Sequence, residues 1–326
     1  MNLITYDELR TRMNSLGQAG IPFVWVVDYA CEKCIILDRP FKSSDIIWEI
    51  NGVGNAPHHE NTGQSPSIDI VNSIEFGKYS RMFSTLRKGL LRGDSFLANL
   101  TAPTEVKCDA SLYDVFHHSH APFKLLIPNQ FVCFSPEPFV KISNGCISAF
   151  PMKGTIDASL PDAERVLLEN YKETCEHYTI VDLMRNDINM VAEDVEVARL
   201  RYVERIATST REILQTSSEI RGKILKEKQM RLGDIILPLL PAGSISGAPK
   251  PATVDLISKS EIALRGWYTG VFGYFDGIEM QSAVMIRCLQ HGDDGKLYFH
   301  SGGGVTVNSD CQEEYDELLT KVYLTK

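Results

Sequence analysis

Residues 151–187, PMKGTIDASLPDAERVLLENYKETCEHYTIVDLMRND, hold the first side chains whose types and spacing could do chemistry. Lys153 stands in a short loop bounded by Pro151 and Gly154, where an amine can meet a substrate as a nucleophile. A long helical pattern follows and carries Glu173 and Glu176. Residues three apart share a helix face, so both carboxylates point one way, with Ile180 and Leu183 continuing the stripe. A single Glu-x-x-Glu is most often a solvated acidic face. Here a second one exists: residues 311–317 open the last helix pattern and put Glu314 and Glu317 on one face. Two helices each presenting such a pair could form a hard-oxygen site. Those carboxylates, with water and a substrate carboxylate, suit octahedral Mg²⁺.

Two other stretches could hold an anion. Residues 241–250, PAGSISGAPK, crowd Gly, Ser and Pro into a tight loop before a helix start, so backbone N–H groups and hydroxyls could face one point. This is no Walker A loop, because Ala248-Pro249 separates Gly247 from Lys250. In Ser301-Gly302-Gly303-Gly304-Val305, three glycines allow backbone to approach a ligand. Arg287 is the charge in an apolar strand pattern, and Arg suits a two-bond clamp on a carboxylate. Lys321 shares the helix face of Glu314 and Glu317. Taken singly, these features read as a turn, a strand Arg reaching solvent and an i,i+4 pair. Together they point to a small, multiply anionic substrate.

The elements that must position these groups are mixed. Helical spacing covers residues 6–16, 73–93 (Phe76, Tyr79, Phe83, Leu86, Leu90), 112–117, 231–237 and 251–260. Continuous or alternating apolar runs predict strands at 22–29, 34–37, 46–50, 96–101, 131–134, 194–197, 202–206, 210–224, 268–275, 282–289 and 297–301. Residues 139–142 and 146–150 read as a hairpin around Ser143-Asn144-Gly145. Ser309 or Asp310 caps the last helix. No strict strand–helix alternation, repeat or linker occurs. The expectation is α+β with largely antiparallel sheets, as one domain over 1–326: a strand-rich part to about residue 110, then a catalytic part with all the motifs.

A net charge of −9 without a basic run argues against nucleic acid and anionic membrane as partners. No apolar run is long enough for a transmembrane helix, and the polar N-terminus lacks a signal-peptide core. Eight scattered cysteines suggest reduced thiols and a cytoplasmic location. Cys31-Glu32-Lys33-Cys34 has no second pair at zinc spacing, so it reads as a chance pair beside a strand. His58 and His59 sit in a Gly/Asn/Pro loop and carry no assignment.

PMKGT, EHYTIVDLMRND, PAGSISGAPK, GWYTGVFGYFDG, SGGGV and EEYDELLTK, in that order over roughly 75–326, resemble the chorismate-utilising enzymes, most of all aminodeoxychorismate synthase component I. The resemblance implies an α/β sandwich of two packed antiparallel sheets with helices outside, as in anthranilate synthase. It implies that Lys153, at a position where anthranilate synthases typically carry Ala, attacks ring C2 of chorismate while the C4 hydroxyl leaves. Ammonia then adds at C4 and expels the lysine, giving 4-amino-4-deoxychorismate. That chemistry asks for an uncharged amine, which burial and a nearby Mg²⁺ both favour. Glu137 matches the acid that protonates the departing hydroxyl. Glu173, Glu176, Glu314 and Glu317 match the Mg²⁺ cluster. Tyr268, Arg287, Gly303 and Lys321 match positions that hold substrate carboxylates, and Ser244 matches a hydroxyl of the same pocket.

One departure is Gln215, where many members have a histidine; a Gln donates hydrogen bonds but does not shuttle protons. No tryptophan-feedback motif is apparent. No Gly-x-Cys-x-Gly elbow is present, so ammonia is expected from a separate glutamine amidotransferase subunit or from solution. A fused lyase is not expected either. The rivals are anthranilate synthase component I, isochorismate or salicylate synthesis, and an inactive anion-binding subunit.

Overall fold

The computed structural model describes residues 2–57, 65–207 and 212–324. Among them are eight α-helices: α1 (Tyr6–Gln18), α2 (Phe76–Arg92), α3 (Leu112–His118), α4 (Ala163–Glu169), α5 (Tyr171–Asn189), α6 (Leu232–Ile236), α7 (Lys250–Ser260) and α8 (Cys311–Thr320). The helices that matter for chemistry start on side-chain caps. Asn170 accepts from the Glu173 amide to open α5, and Asp310 accepts from Gln312 and Glu313 to open α8. Of the two candidate caps, Asp310 is therefore the one that closes on the α8 amides.

Two nine-stranded sheets contain the rest, and every described pairing is antiparallel. The first runs Met152–Asp157, Glu212–Ile224, Cys146–Ala149, Pro138–Ser143, Met280–Val284, Val271–Phe275, Phe23–Val27, Cys34–Leu37, with Ala192–Ala207 also on Glu212–Ile224. The second runs Gly247–Ala248, Leu97–Cys108, Leu297–Val305, Cys288–His291, Phe131–Ser135, Phe123–Ile127, Ile47–Ile50, Val53–Gly54, with Ile68–Asn72 also on Leu97–Cys108. Strands from before residue 110 sit beside strands from after 270 in both sheets, so the sheets have no break at that point.

Phe23–Val27 shows why its sequence is apolar throughout. Val24 and Val26 pack between the sheets with Trp48, Phe131 and Phe272. Phe23, Trp25 and Val27 face the other way, into a cluster with Leu9, Met13, Ile235 and Ile180. Both faces of this strand are covered, so no polar alternation survives. A third cluster joins α2, α7 and α8 to the outer side of the second sheet through Leu86, Leu100, Leu256 and Leu318.

Several local expectations change. Lys153 lies in the edge strand Met152–Asp157, not a free loop, and the pairing is irregular between Lys153 and Thr155. Gly154 occupies that irregularity with φ +80°, which favours glycine. Gly302, Gly303 and Gly304 are strand residues paired with Thr101, Leu100 and Asn99. Arg287 has φ +54° and lies between strands, because the run 282–289 breaks there. The two extended segments expected at 194–206 are one bulged strand. Phe123–Ile127 is a strand that the sequence reading passed over. His58 and His59 lie outside the described residues.

Two of the chain's crossings between the sheets lie side by side. One joins Phe131–Ser135 to Pro138–Ser143 through Pro136 and Glu137; the other joins Met280–Val284 to Cys288–His291 through residues 285–287. They are stitched together: the Val284 amide donates to the Glu137 carbonyl at 3.1 Å, and the Phe134 amide donates to the Arg287 carbonyl at 3.0 Å.

Candidate active site

A cavity of about 420 Å³ opens beside these crossings, and every site residue singled out above lines it. That volume suits a small-molecule ligand. Lys153 reaches in from the edge of the first sheet. Glu173 and Glu176 project from α5, Glu314 and Glu317 from α8, and Gly302–Gly304 form a floor from the second sheet.

The glycines are there for space. A Cβ on Gly303 would stand 3.1 Å from Glu314 Oε2 and 3.3 Å from Glu317 Oε1; one on Gly304 would stand 3.5 Å from Lys153 Nζ. Lys153 Nζ lies 3.6 Å from Glu176, and its side chain is only a quarter exposed. Lys321 pairs with Glu317 at 2.5 Å and donates to the Gly302 carbonyl at 2.8 Å. Lys172 stands 4.0 Å from Glu314.

The carboxyls differ by environment. Burial pushes Glu137 up; the Ser244 hydroxyl and the cations Lys153, Lys321 and Arg287 pull the other way without cancelling it. Burial and the neighbouring Glu176 raise Glu173. Burial likewise raises Glu314, and Glu317 adds to it. Glu317 itself is held low: burial raises it, but Lys321 more than offsets that. Among the described residues, no three His, Cys, Asp or Glu side chains converge as a formed metal site. The donor set still suits a hard cation. Four carboxylates line one cavity, two of them are raised by burial and like charge, and lysine ammonium groups stand within 4.0 Å of three.

Arg287 donates to the Lys321 carbonyl at 3.0 Å and lies over the Tyr323 ring. Ser244 Oγ donates to Glu137 Oε1 at 2.6 Å. Tyr268 is buried with its ring 5.1 Å from His300. Burial, aided by Arg265, lowers His300 to about 4, so it is neutral at pH 7. His300, Asn99 and Lys172 line the cavity and were not singled out from sequence. Lys172 could have been found, since helical spacing puts it one turn before Glu176; Asn99 and His300 carry no such signal. Asn99 Oδ1 is buried without a hydrogen-bond partner. Gln215 also lines the cavity. Far from being reactive, Cys31 and Cys34 are free thiols that burial pushes up to about 12.

Comparison with known proteins gives the family of the chain. An "Uncharacterized PabA-like protein" of Haemophilus influenzae is 49% identical over 98% of this chain and 97% of its own length. Anthranilate synthase component 1 of Acetivibrio thermocellus is 34% identical over 98% of this chain and 66% of its own length. Aminodeoxychorismate synthase component 1 of Salmonella typhimurium is 30% identical over 75% of this chain and 56% of its own. Among solved structures, the menaquinone-specific isochorismate synthase MenF of Escherichia coli superposes with a TM-score of 0.74 over 98% of this chain and 82% of that one, at 12% identity, which speaks to fold alone. The sequence profile of chorismate binding enzymes matches residues 28–325, and the chain belongs to that family.

Proposed function

We propose that the protein is an aminodeoxychorismate synthase component I, converting chorismate and ammonia to 4-amino-4-deoxychorismate and water. The product would feed para-aminobenzoate and folate synthesis in the cytoplasm. The observation that carries this reading is the Lys153 amine inside one cavity with a raised carboxyl, Glu137, and an acidic quartet.

The Lys153 amine adds to ring C2, the two ring double bonds shift, and the C4–O bond breaks. Glu137 gives its proton to the departing hydroxyl, which leaves as water. A carboxyl raised by burial is suited to that task at neutral pH. Ammonia then adds at C4, the double bonds shift back, and the C2–N bond to Lys153 breaks. The nitrogen at C4 returns a proton to Glu137, so the site is restored.

Glu173, Glu176, Glu314 and Glu317 would hold Mg²⁺, which supplies positive charge beside the ring carboxylate when bound. Arg287, Lys321, Tyr268 and Gly303 line the same cavity; the two cations would meet further carboxylate oxygens, Tyr268 would offer a phenol, and Gly303 would leave room for the substrate. Ammonia would come from a separate glutamine amidotransferase subunit.

The test is product identity. Protein, chorismate, MgCl₂ and an ammonium salt should yield a non-fluorescent product with the mass of aminodeoxychorismate, which an added lyase converts to para-aminobenzoate. Excess EDTA should stop the reaction and added Mg²⁺ restore it. Fluorescent anthranilate forming without the lyase would overturn this reading, as would a water adduct in place of the amine.

A further inference from the structure

Residues 241–250 look in sequence like a loop built to grip an anion. In the folded chain, two of its polar side chains are committed to protein partners. Ser244 Oγ donates to Glu137 Oε1 at 2.6 Å. Lys250 Nζ pairs with Asp187 of α5 at 2.9 Å and donates to the Leu239 carbonyl at 2.7 Å.

The turn carrying Ser244 is held on both flanks. Before it, Gly243 lies against α5, where a Cβ would stand 2.9 Å from Leu183 Cδ2 and 3.0 Å from Asp187 Oδ2. After it, the Ile245 carbonyl accepts from the buried Arg265 guanidinium at 2.9 Å. The hydroxyl is thus aimed before any ligand arrives, and a carboxyl that accepts from it is aimed as well.

We infer that Ser244 is a positioning residue for Glu137: by holding Oε1, it leaves Oε2 as the oxygen that carries the acidic proton into the cavity. This gives the serine a role in orienting the acid, and it rests on the reading of Glu137 as that acid. The other charged groups acting on Glu137 are Lys153, Lys321 and Arg287. All three favour its ionised form, as the Ser244 hydroxyl does. Removing the hydroxyl therefore shifts Glu137 further toward the protonated form. A general acid works while protonated, so the alkaline limb of the rate profile must move to higher pH.

The experiment compares Ser244→Ala, Ser244→Thr and Glu137→Gln with the unmodified chain, using chorismate, Mg²⁺ and ammonium across pH. Ser244→Ala should lower kcat by roughly ten- to a hundredfold with KM for chorismate changed by less than about twofold. Its alkaline limb should move upward, and Ser244→Thr should restore rate and limb together. An unchanged kcat and limb in Ser244→Ala, or a rise in KM alone, would overturn the positioning role while leaving Glu137 as the acid. A normal rate in Glu137→Gln would overturn the acid assignment and this inference with it.

Discussion

Lys153 shows how a residue can be legible while its setting is not. Its amine, the proline before it and the glycine after it marked it in sequence, but they suggested a loop. The structure puts it in an edge strand, with Gly154 at φ +80° taking the irregularity in the ladder. That irregularity depends on pairing with residues about 60 positions away in the chain, which no local pattern reports. The glutamate pairs were legible because helical spacing alone puts them on one face. Asn99 and His300 were not, because each sits in a strand whose side chains alternate without any spacing signature. Replacing Lys153 with Ala should reduce product formation by more than about a thousandfold, as loss of a nucleophile does. The circular dichroism spectrum should stay unchanged, since one side chain at a cavity wall is removed and no core contact is lost. Wild-type turnover in that variant would show that the amine is not the nucleophile.

At the scale of elements, the site is made where the chain changes sheets. Glu137 and Arg287 sit on neighbouring crossings tied by two backbone hydrogen bonds. Strand patterns at 131–134 and 282–289 located both segments, but periodicity does not say that a chain leaves one sheet for another. The support behind the site was also invisible in sequence. Arg265 and Glu261 form a buried pair at 2.7 Å. Arg265 also donates to the Asn99 and Ile245 carbonyls, and Glu261 accepts from the Thr101 amide and hydroxyl. One ion pair thereby joins the end of α7, a strand of the second sheet and the turn bearing Ser244. Neither residue stands in a recognisable motif, and as an i,i+4 pair it reads as a surface bridge. Glu261→Ala leaves a buried guanidinium unpaired and should cost about 3–5 kcal/mol in urea unfolding. A cost near that of an exposed pair, below about 1 kcal/mol, would show that the network carries no such load.

For the molecule as a whole, mixed elements without strict alternation pointed to largely antiparallel sheets, and the family resemblance supplied the two packed layers. What pattern did not give is the interleaving of early and late strands. Phe23–Val27 lies beside Val271–Phe275, and Leu97–Cys108 beside Leu297–Val305. Closing those pairings brings α5 and α8, far apart in sequence, to one cavity, and sets the first sheet's Lys153 over the second sheet's glycine floor. The covalent role of that lysine is tested most directly by peptide mass mapping of protein quenched during turnover of chorismate with Mg²⁺ and limiting ammonia. An adduct of one chorismate less one water on the peptide containing Lys153, discharged by added ammonia, is the result expected. Product formed with that peptide unmodified throughout, or an adduct on another residue, would contradict the account.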